Sequence, residues 1–376
     1  MLRSLGARAL LERVGPALAS HGITRVADVT GLDRLGIPVV MVTRPNGRTL
    51  SVAQGKGITL DDARASGVME AIETDVAELW DPEAVVASRD ALPGASVDPA
   101  WLRPHPGARL HGGEALPWVR GTDLATGVPT WVPLERCRLD GTVGRAGAPR
   151  VLAQDSNGLA SGAERVDALI HALCEVLERD ARAHVIAGSA PIIDGDALED
   201  AALSRAIEAC RRAGVEVELT DLTRDGGVPV IGATLVDLGR GRLPPLRAMR
   251  GHGCHPDPAG AAIRALTEAA QSRLTVISGA RDDLDPRHWL PVGGRRPQPP
   301  ATDGHRPASV EVGADLDGVA SVLVGAALAA GARQLVEVDM SPPGAPYAVV
   351  RVIAPGLAGV AEVAVAEGSV PRGTAA

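Results

Sequence analysis

The sequence predicts an α/β fold in which helices and strands alternate in one intertwined unit with mixed sheets. Helical periodicity recurs along the chain, and short β-type runs such as 215–222 and 228–236 lie between the helical segments. Three of the helical segments carry acidic residues in the same pattern. With 376 residues the chain is long enough to bury a large core. We therefore expect three acidic helices to converge within this α/β unit.

The central acidic segment is 156–180, in which the polar turn Ser156-Asn157-Gly158 precedes an apolar helical run. Glu175 and Glu178 are three residues apart, so they lie on one side of the predicted helix. A carboxylate pair beside an apolar stripe is costly unless a cation meets it. The nearest cationic side chain in the sequence is Arg179, so the pair indicates a bound metal ion or ligand.

The same pattern occurs in two further helices, which carry Glu70 with Glu73 and Glu268 with Gln271. A polar residue stands one turn before the first glutamate of each helix: Ser66, His171 and Arg264. One such helix would be an ordinary amphipathic helix with its acids in water. Three copies, each with small neighbours that permit close approach, favour ridges that converge on one site with five carboxylates.

Only one of the 38 Lys and Arg residues is a lysine, Lys56, which lies between Gly55 and Gly57. Because arginine serves as the general cation in this chain, a retained lysine indicates a need for a compact ammonium group. We predict that Lys56 contacts a phosphate. The alternative is a lysine on a loop without a role in binding.

Composition and charge argue against several classes of protein. The net charge is −8 and no basic run is present, which disfavours a nucleic-acid partner. No stretch has the length of a membrane span, and the N-terminus lacks the features of a signal peptide. The four cysteines show neither metal-ligand spacing nor a disulfide framework. We therefore expect a cytoplasmic protein with reduced thiols and no membrane partner.

Periodicity, caps and turn signals predict the remaining secondary structure. Thr59 is the predicted N-cap of a helix that runs to about Leu79. Other predicted helices are 2–20, 203–213, 259–278 and 317–330, and other predicted strands are 23–29, 37–43, 50–53, 118–120, 130–132, 335–339 and 348–353. Residues 190–200 are predicted to be a link, and 251–256 a loop.

The predicted domain organisation is an N-terminal helical segment, 1–22, followed by one domain, 23–376. Within that domain, 81–150 are expected to form a peripheral layer rich in Pro and Gly. Residues 281–312, rich in Pro and Arg, are expected to form an irregular loop.

Common nucleotide and hydrolase motifs do not fit. Gly251-His252-Gly253 lacks the third glycine of a dinucleotide fingerprint, and Gly55-Lys56 lacks the Walker spacing. His252, Cys254 and His255 share one short segment, which is weak support for zinc. Carboxylates together with phosphate oxygens are the ligands that Mg²⁺ prefers. The pattern therefore favours phosphoryl transfer from a nucleotide through Mg²⁺, without a P-loop.

Three blocks of the sequence resemble the YcaO family. They are Gly55-Lys56-Gly57 followed by Ser66, Glu70 and Glu73; residues 156–162 followed by Glu175, Glu178 and Arg179; and Arg264 with Glu268 and Gln271. The resemblance covers roughly residues 23–280 and implies a YcaO-type fold with a site for ATP and Mg²⁺. It implies five Mg²⁺ ligands that also order the triphosphate: Glu70, Glu73, Glu175, Glu178 and Glu268. It implies phosphate contacts from Lys56, Arg179 and Arg264, and polar contacts from Ser66, Asn157 and Ser161.

Members of the family it resembles use ATP to phosphorylate a backbone amide oxygen of a peptide, which an incoming nucleophile then displaces. Residues 28–39 and the compact length resemble members that pair with TfuA proteins to form thioamides. Azoline or macroamidine formation is the alternative within the class. A non-catalytic nucleotide-binding accessory factor, of the type linked to ribosomal protein S12 methylthiolation, is the alternative outside it. The resemblance also implies a peptide substrate, a TfuA-like or leader-binding partner and a homodimer.

Overall fold

The computed structural model describes residues 3–140, 142, 150–185, 190–224, 227–239, 246–281, 305–313 and 315–359. The helices are α1 (Ala7–Val14), α2 (Leu60–Leu79), α3 (Arg165–His184), α4 (Ala201–Arg212), α5 (Pro258–Ser278) and α6 (Leu316–Ala329). The first strands are β1 (Arg25–Asp28), β2 (Val39–Thr43), β3 (Val52–Lys56), β4 (Val85–Ala87), β5 (Ala95–Ser96), β6 (Leu116–Asp123) and β7 (Pro129–Pro133). The others are β8 (Leu159–Gly162), β9 (Ile192–Ile193), β10 (Val215–Asp221), β11 (Val230–Asp237), β12 (Met249–Cys254), β13 (Val336–Asp339) and β14 (Ala348–Ile353).

These strands form three sheets. One sheet has the order β1-β2-β3, and a second has the order β12-β11-β10-β9. The third has seven strands in the order β5-β7-β6-β13-β14-β8, with β4 paired to β6. All strand pairs are antiparallel except β5 with β7, so the third sheet is mixed. The predicted α/β class with mixed sheets is confirmed.

Each of the three acidic helices covers a different sheet. Helix α2 packs on β2 and β3, α3 packs on β8 and β14, and α5 packs on β11 and β12. The helices also contact the neighbouring layers, since α2 touches β8, α3 touches β12 and α5 touches β3. The three helices therefore meet where the three sheets meet, although they are far apart in the sequence.

The core lies between each helix and its sheet. One apolar cluster lies under α1 and α2, a second is shared by α3 and α6, and a third fills the space between α4, α5 and the four-stranded sheet. Alanine, valine and leucine supply most of these side chains, because the chain contains no phenylalanine. Small side chains allow the helices to lie close to their sheets.

The glycine before Lys56 is required by helix–sheet packing. A Cβ atom at Gly55 would overlap the carbonyl oxygen of Ala63 and the backbone of Gly67 in α2. The strand predicted at 50–53 is β3, which begins at Val52 and extends through Gly55 to Lys56. This packing places Lys56 at the end of β3, where its side chain contacts Glu268 of α5.

The prediction of a loop at 251–256 was wrong, because β12 runs from Met249 to Cys254. Gly251 and Gly253 face α5, and a Cβ atom at either position would overlap the backbone of that helix. Glycines usually indicate a loop, but here they allow a helix to lie directly on a strand. As a result His252 and Cys254 are on the opposite face of β12.

Other differences from the predicted elements are smaller. The N-terminal helix is shorter than predicted, since α1 ends at Val14 and a 3₁₀ turn that contains Pro16 follows at Gly15–Ala17. The predicted link at 190–200 contains β9 and a 3₁₀ turn at Gly195–Leu198, and residues Leu159–Gly162 before α3 form strand β8. Most of the predicted irregular loop, 282–304, lies outside the described residues. The division into 1–22 and 23–376 stays a prediction.

The N-terminus of α2 is fixed by a reciprocal cap. The hydroxyl of Thr59 accepts the backbone N–H of Asp62 at 3.1 Å, and the Asp62 carboxylate accepts the backbone N–H of Thr59 at 3.3 Å. We expect Thr59→Ala to lower the free energy of unfolding by about 1 kcal/mol. Urea unfolding measures the change, and Thr24→Ala at an exposed strand end serves as control. Equal losses in both variants would contradict the cap's contribution.

Candidate active site

The acidic side chains of the three helices face one cleft. Helix α2 carries Glu70 and Glu73, α3 carries Glu175 and Glu178, and α5 carries Glu268. Electrostatic coupling links Glu70 and Glu178 to Glu268, and Glu73 to both Glu70 and Glu175. The predicted convergence of the ridges is therefore seen in the structure.

Lys56 forms the cationic centre of the cleft. Its Nζ contacts Oε2 of Glu268, and its charge also acts on Glu70 and Glu178. The other oxygen of Glu268, Oε1, accepts the backbone N–H of His252 at 3.2 Å and lies 3.9 Å from Nδ1 of that ring. The single lysine of the chain thus stands among carboxylates from all three helices.

Ser161 joins the first acidic helix to β8. Its Oγ lies 3.1 Å from Oε2 of Glu73 and 3.1 Å from the carbonyl oxygen of Met69. His171 of α3 also contacts β8, because its Nδ1 lies 3.3 Å from the Ser161 carbonyl oxygen. Ser161 therefore positions Glu73 within the cleft.

Each glutamate of α3 pairs with an arginine one turn later. Glu175 contacts Arg179, and Glu178 Oε1 lies 3.4 Å from Arg182 Nη1. Arg179 Nη2 also lies 3.5 Å from the Ser156 hydroxyl, in the polar turn that precedes β8. The helix thus presents acids toward the cleft with cations along its outer margin.

Four of the five glutamates in the cleft have pKa values above the ordinary value of a glutamate. Burial and the neighbouring glutamates Glu175 and Glu70 raise the pKa of Glu73 well above 4.5. Burial and Glu268 raise the pKa of Glu178 to about 7, and burial also raises that of Glu175. At an effective dielectric constant of about 20, two like charges 4–5 Å apart repel by about 3–4 kcal/mol. The cleft therefore contains more negative charge than its own cations balance.

Glu268 differs from the other four acids. Burial opposes its ionisation, but Lys56 and His252 outweigh burial and lower the pKa of Glu268 to about 2. Glu70 is exposed to water, yet the surrounding protein raises its pKa to about 7. Solvent access combined with partial desolvation is typical of a carboxylate in an open cleft. Such a cleft can admit a charged ligand.

A buried arginine that was not predicted from the sequence lies behind the acids. Arg351 of β14 is fully buried, and its Nη2 donates to the carbonyl oxygen of Asp155 at 2.8 Å and to its carboxylate at 3.1 Å. The Asp155 carboxylate accepts the N–H of Asn157 at 3.0 Å and therefore fixes the polar turn. A lone arginine in the apolar strand AVVRVI was the available signal.

A cationic cluster lies near His171, which is one turn before Glu175 on α3. Arg264 on α5 and Arg3 in the N-terminal segment both act on His171, and burial with these charges lowers the pKa of His171 well below 6.5. Arg264 also contributes to lowering the pKa of His255, to about 4, although burial is the larger cause. The neutral imidazoles and the two guanidinium groups favour an anion at this edge of the cleft.

The residues present fit ATP and Mg²⁺. Oδ1 of Asn157 and Nε2 of His171 are buried polar atoms with no hydrogen-bond partner among the described residues. Buried atoms of this kind indicate that a ligand completes their bonding. A divalent ion would relieve the repulsion among the glutamates, and the cations at the margin would meet phosphate oxygens.

One group in the described part of the chain has the spacing of a metal site. It consists of Glu178, His252 and Glu268, whose candidate ligand atoms all lie within 4.8 Å of one another. Two of these residues were predicted as Mg²⁺ ligands, and His252 was missed because its strand was assigned as a loop. Alternation along β12 would have placed it on the site face.

The other predicted site residues have the following positions. Ser66 is half-buried on α2, one turn before Glu70, and Asn157 lies in the turn held by Asp155. Gln271, the third member of the α5 ridge, donates to the carbonyl oxygen of Gln54 at 2.8 Å and so joins α5 to β3. The assignment of individual ATP and Mg²⁺ ligands stays a prediction.

The raised pKa of Glu178 predicts a pH-dependent stability. Protonation of this carboxyl contributes stability that is fully present below about pH 4.5 and is lost as the pH rises through about 7. In EDTA without nucleotide, we expect Glu178→Gln to stabilise the protein at pH 8 by about 1–2 kcal/mol, and less at pH 5. Thermal unfolding at both pH values measures this.

Glu208→Gln on α4 is the matched control, because its side chain is 47% exposed and pairs only with nearby Arg211 among the described contacts. We expect no pH-dependent change in that variant. A Glu178→Gln protein less stable than the wild type at pH 8 would show that the Arg182 contact outweighs the repulsion.

Comparison with known proteins identifies the family. The model of the YcaO cyclodehydratase family, described as ATP- and Mg²⁺-binding, matches residues 54–358. The chain belongs to the YcaO family. Membership supports an ATP-dependent peptide-modifying enzyme as the general class of function, with ATP and Mg²⁺ as cofactors. No helix in the described part of the chain is long and apolar enough to cross a membrane.

Individual relatives agree with this assignment. A protein in the tfuA 3′ region of Rhizobium leguminosarum bv. trifolii is 38% identical over 92% of this chain and 86% of the relative. The structure of YcaO from Methanopyrus kandleri, bound with AMPPCP and Mg²⁺, has a TM-score of 0.70 and 28% identity, covering 94% of this chain and 92% of the other. A heterocyclase in complex with substrate and cofactor has a TM-score of 0.73 at 18% identity. The match with that heterocyclase covers 98% of this chain and 55% of the heterocyclase.

Proposed function

We propose that this YcaO protein uses ATP to phosphorylate a backbone amide oxygen of a peptide and that sulfide then converts the activated amide to a thioamide. The amide oxygen forms a bond to the γ-phosphorus of ATP, and ADP leaves. Sulfide adds to the amide carbon, and the oxygen departs as phosphate. The balanced reaction consumes peptide, ATP and sulfide and gives thioamide, ADP and phosphate.

The observation that carries the nucleotide part is the position of Lys56 among acids from three helices. Its compact charge meets Glu268 and acts on Glu70 and Glu178, so it can exchange a carboxylate for a phosphate oxygen. Bound Mg²⁺ would supply charge neutralisation for the phosphates. The glutamates would hold that ion, Arg179 and Arg264 would orient phosphate oxygens, and Asn157 would add a polar contact from its turn.

Nucleotide binding is tested with AMPPCP and Mg²⁺. We expect calorimetry to show Mg²⁺-dependent binding and thermal unfolding to show stabilisation that grows with ligand concentration. An absence of binding at millimolar AMPPCP with Mg²⁺ would contradict the proposed nucleotide site. A Glu208→Gln protein, altered outside the cleft, should bind like the wild type.

The thioamide product is supported by the relative in the tfuA 3′ region, which suggests a TfuA-like partner. We propose that this partner and a separate peptide substrate act with the chain, and that the chain forms a homodimer. The test is incubation with ATP, sulfide, a TfuA-like protein and peptides encoded beside the gene. Replacement of oxygen by sulfur in the peptide mass is the expected result.

Cyclodehydration is the second candidate, because the family is described as a cyclodehydratase. A Cys, Ser or Thr side chain would then attack the activated amide to give an azoline, and an amine would give an amidine. Loss of water from the peptide would identify this outcome. An accessory factor without chemistry would bind AMPPCP yet release no ADP under any of these conditions.

A further inference from the structure

The imidazole of His252 lies between acids of two different helices. His252 is 8% exposed and lies on β12, the edge strand of the four-stranded sheet. Its ring faces away from the glycine-lined side of β12 that packs on α5, toward the side that α3 contacts. A ring nitrogen and one oxygen each of Glu178 and Glu268 lie within 4.8 Å of one another. The three side chains therefore surround one small volume.

The position of this ring is fixed by its strand. The cross-strand neighbour of His252 is Gly232, where a Cβ atom would lie 3.7 Å from Cδ2 of the ring. At the open edge of the sheet, the N–H of His252 donates to Oε1 of Glu268 at 3.2 Å. Backbone and imidazole of one residue thus approach the same carboxylate oxygen. This arrangement limits how far Glu268 and His252 can separate.

The charges of Glu178 and Glu268 favour a divalent cation bound between the two carboxylates. Lys56 occupies the other oxygen of Glu268, so this carboxylate already has a cationic partner. Glu178 Oε1 lies 3.4 Å from Arg182 Nη1, and Glu178 is repelled by Glu268. A divalent ion shared by both carboxylates would convert that repulsion into attraction.

The ligand chemistry points to a particular class of ion. Mg²⁺ prefers oxygen ligands, whereas the divalent metals of the first transition series, of which Mn²⁺ is the weakest binder, bind to sites that mix nitrogen and oxygen ligands. We propose that His252 joins Glu178 and Glu268 as a ring-nitrogen ligand of a divalent cation at the nucleotide site, so that this site binds Mn²⁺ more tightly than Mg²⁺. The inference rests on the proposed nucleotide function and adds a ligand and a metal preference to it.

The test uses Mn²⁺ with AMPPCP and the full chain. Pulsed electron paramagnetic resonance detects magnetic coupling between Mn²⁺ and a directly bound imidazole nitrogen. We expect coupling from ¹⁴N in the wild type, replaced by the ¹⁵N pattern when histidine is labelled with ¹⁵N. The coupling should be lost in His252→Gln and retained in His184→Gln, which alters the exposed end of α3.

Metal affinity gives an independent measurement. In His252→Gln we expect Mn²⁺ to bind at least about tenfold more weakly, while Mg²⁺ affinity changes by less than about threefold. Far-ultraviolet circular dichroism and thermal unfolding establish that the variant is folded. The isotope experiment on the wild type shows whether a histidine binds Mn²⁺, and His252→Asn replaces His252→Gln for the assignment to His252 if the latter variant is unstable.

Two outcomes would overturn the inference. One is a wild-type Mn²⁺ complex without nitrogen coupling, which would leave His252 as an ion-pair partner of Glu268. The other is nitrogen coupling that persists in His252→Gln. In both cases AMPPCP binding would remain, whereas failure of the proposed function would abolish AMPPCP binding as well.

Discussion

ATP turnover by the Glu268→Ala variant is expected to fall by at least about 10²–10³-fold, with the fold retained. Glu268 is the one glutamate of the five whose pKa is lowered, to about 2, because Lys56 and His252 outweigh burial. It also contacts Lys56 and the edge of β12. Its removal would therefore eliminate the carboxylate that meets the lysine and would release the lysine. ADP release is measured with the peptide and partner that support wild-type turnover.

The same loss is expected for Glu178→Ala, because α3 and α5 contribute to one cleft. Glu208→Ala on α4 controls for the change in overall charge, and unfolding curves check that each protein is folded. A thousandfold loss corresponds to about 4 kcal/mol of transition-state stabilisation. Wild-type turnover in either cleft variant would remove the basis for the assigned site.

Lys56→Met is expected to lower ATP turnover by about 10²-fold, and Lys56→Arg by about tenfold. Lys56 Nζ stands at the end of β3, with α2 packed directly against Gly55. A guanidinium group is larger than an ammonium group and planar, so the arginine would displace either Glu268 or the bound phosphate. Steady-state kinetics should show the loss mainly in kcat. Full activity of Lys56→Arg would show that any cation suffices.

Because Lys56 is the only lysine, amine acylation offers a second measurement on the unmodified protein. A lysine-directed ester should modify one ε-amino group, which peptide mass spectrometry separates from the N-terminal amine. AMPPCP with Mg²⁺ should slow this acylation. Equal rates with and without the nucleotide would place Lys56 outside the binding site.

Much of the site could be predicted because its pattern is local. The Thr59 cap, the extent of α2 and the acid spacing on α2, α3 and α5 follow from helical periodicity and short-range hydrogen bonds. The repeated pattern also predicted convergence, although periodicity alone gives no contact between distant helices. The family resemblance supplied the roles of individual residues, and the comparisons confirm the family.

The parts that could not be predicted depend on distant neighbours. Gly251 and Gly253 indicated a loop, because their close approach to α5 is a tertiary contact. That error concealed His252. Arg351 was likewise missed, since its burial is made tolerable by Asp155, which lies on another segment. In each case the deciding partner is remote in the sequence.

Each acidic helix belongs to a different layer of the molecule, and this has a mechanical consequence. A nucleotide bound by residues of all three helices would link the three layers, and its binding would stabilise each of them. Displacement of one helix from the site would therefore lower the affinity of the other two helices for the nucleotide. A partner that presses on any single sheet could thereby tune nucleotide affinity without touching the nucleotide.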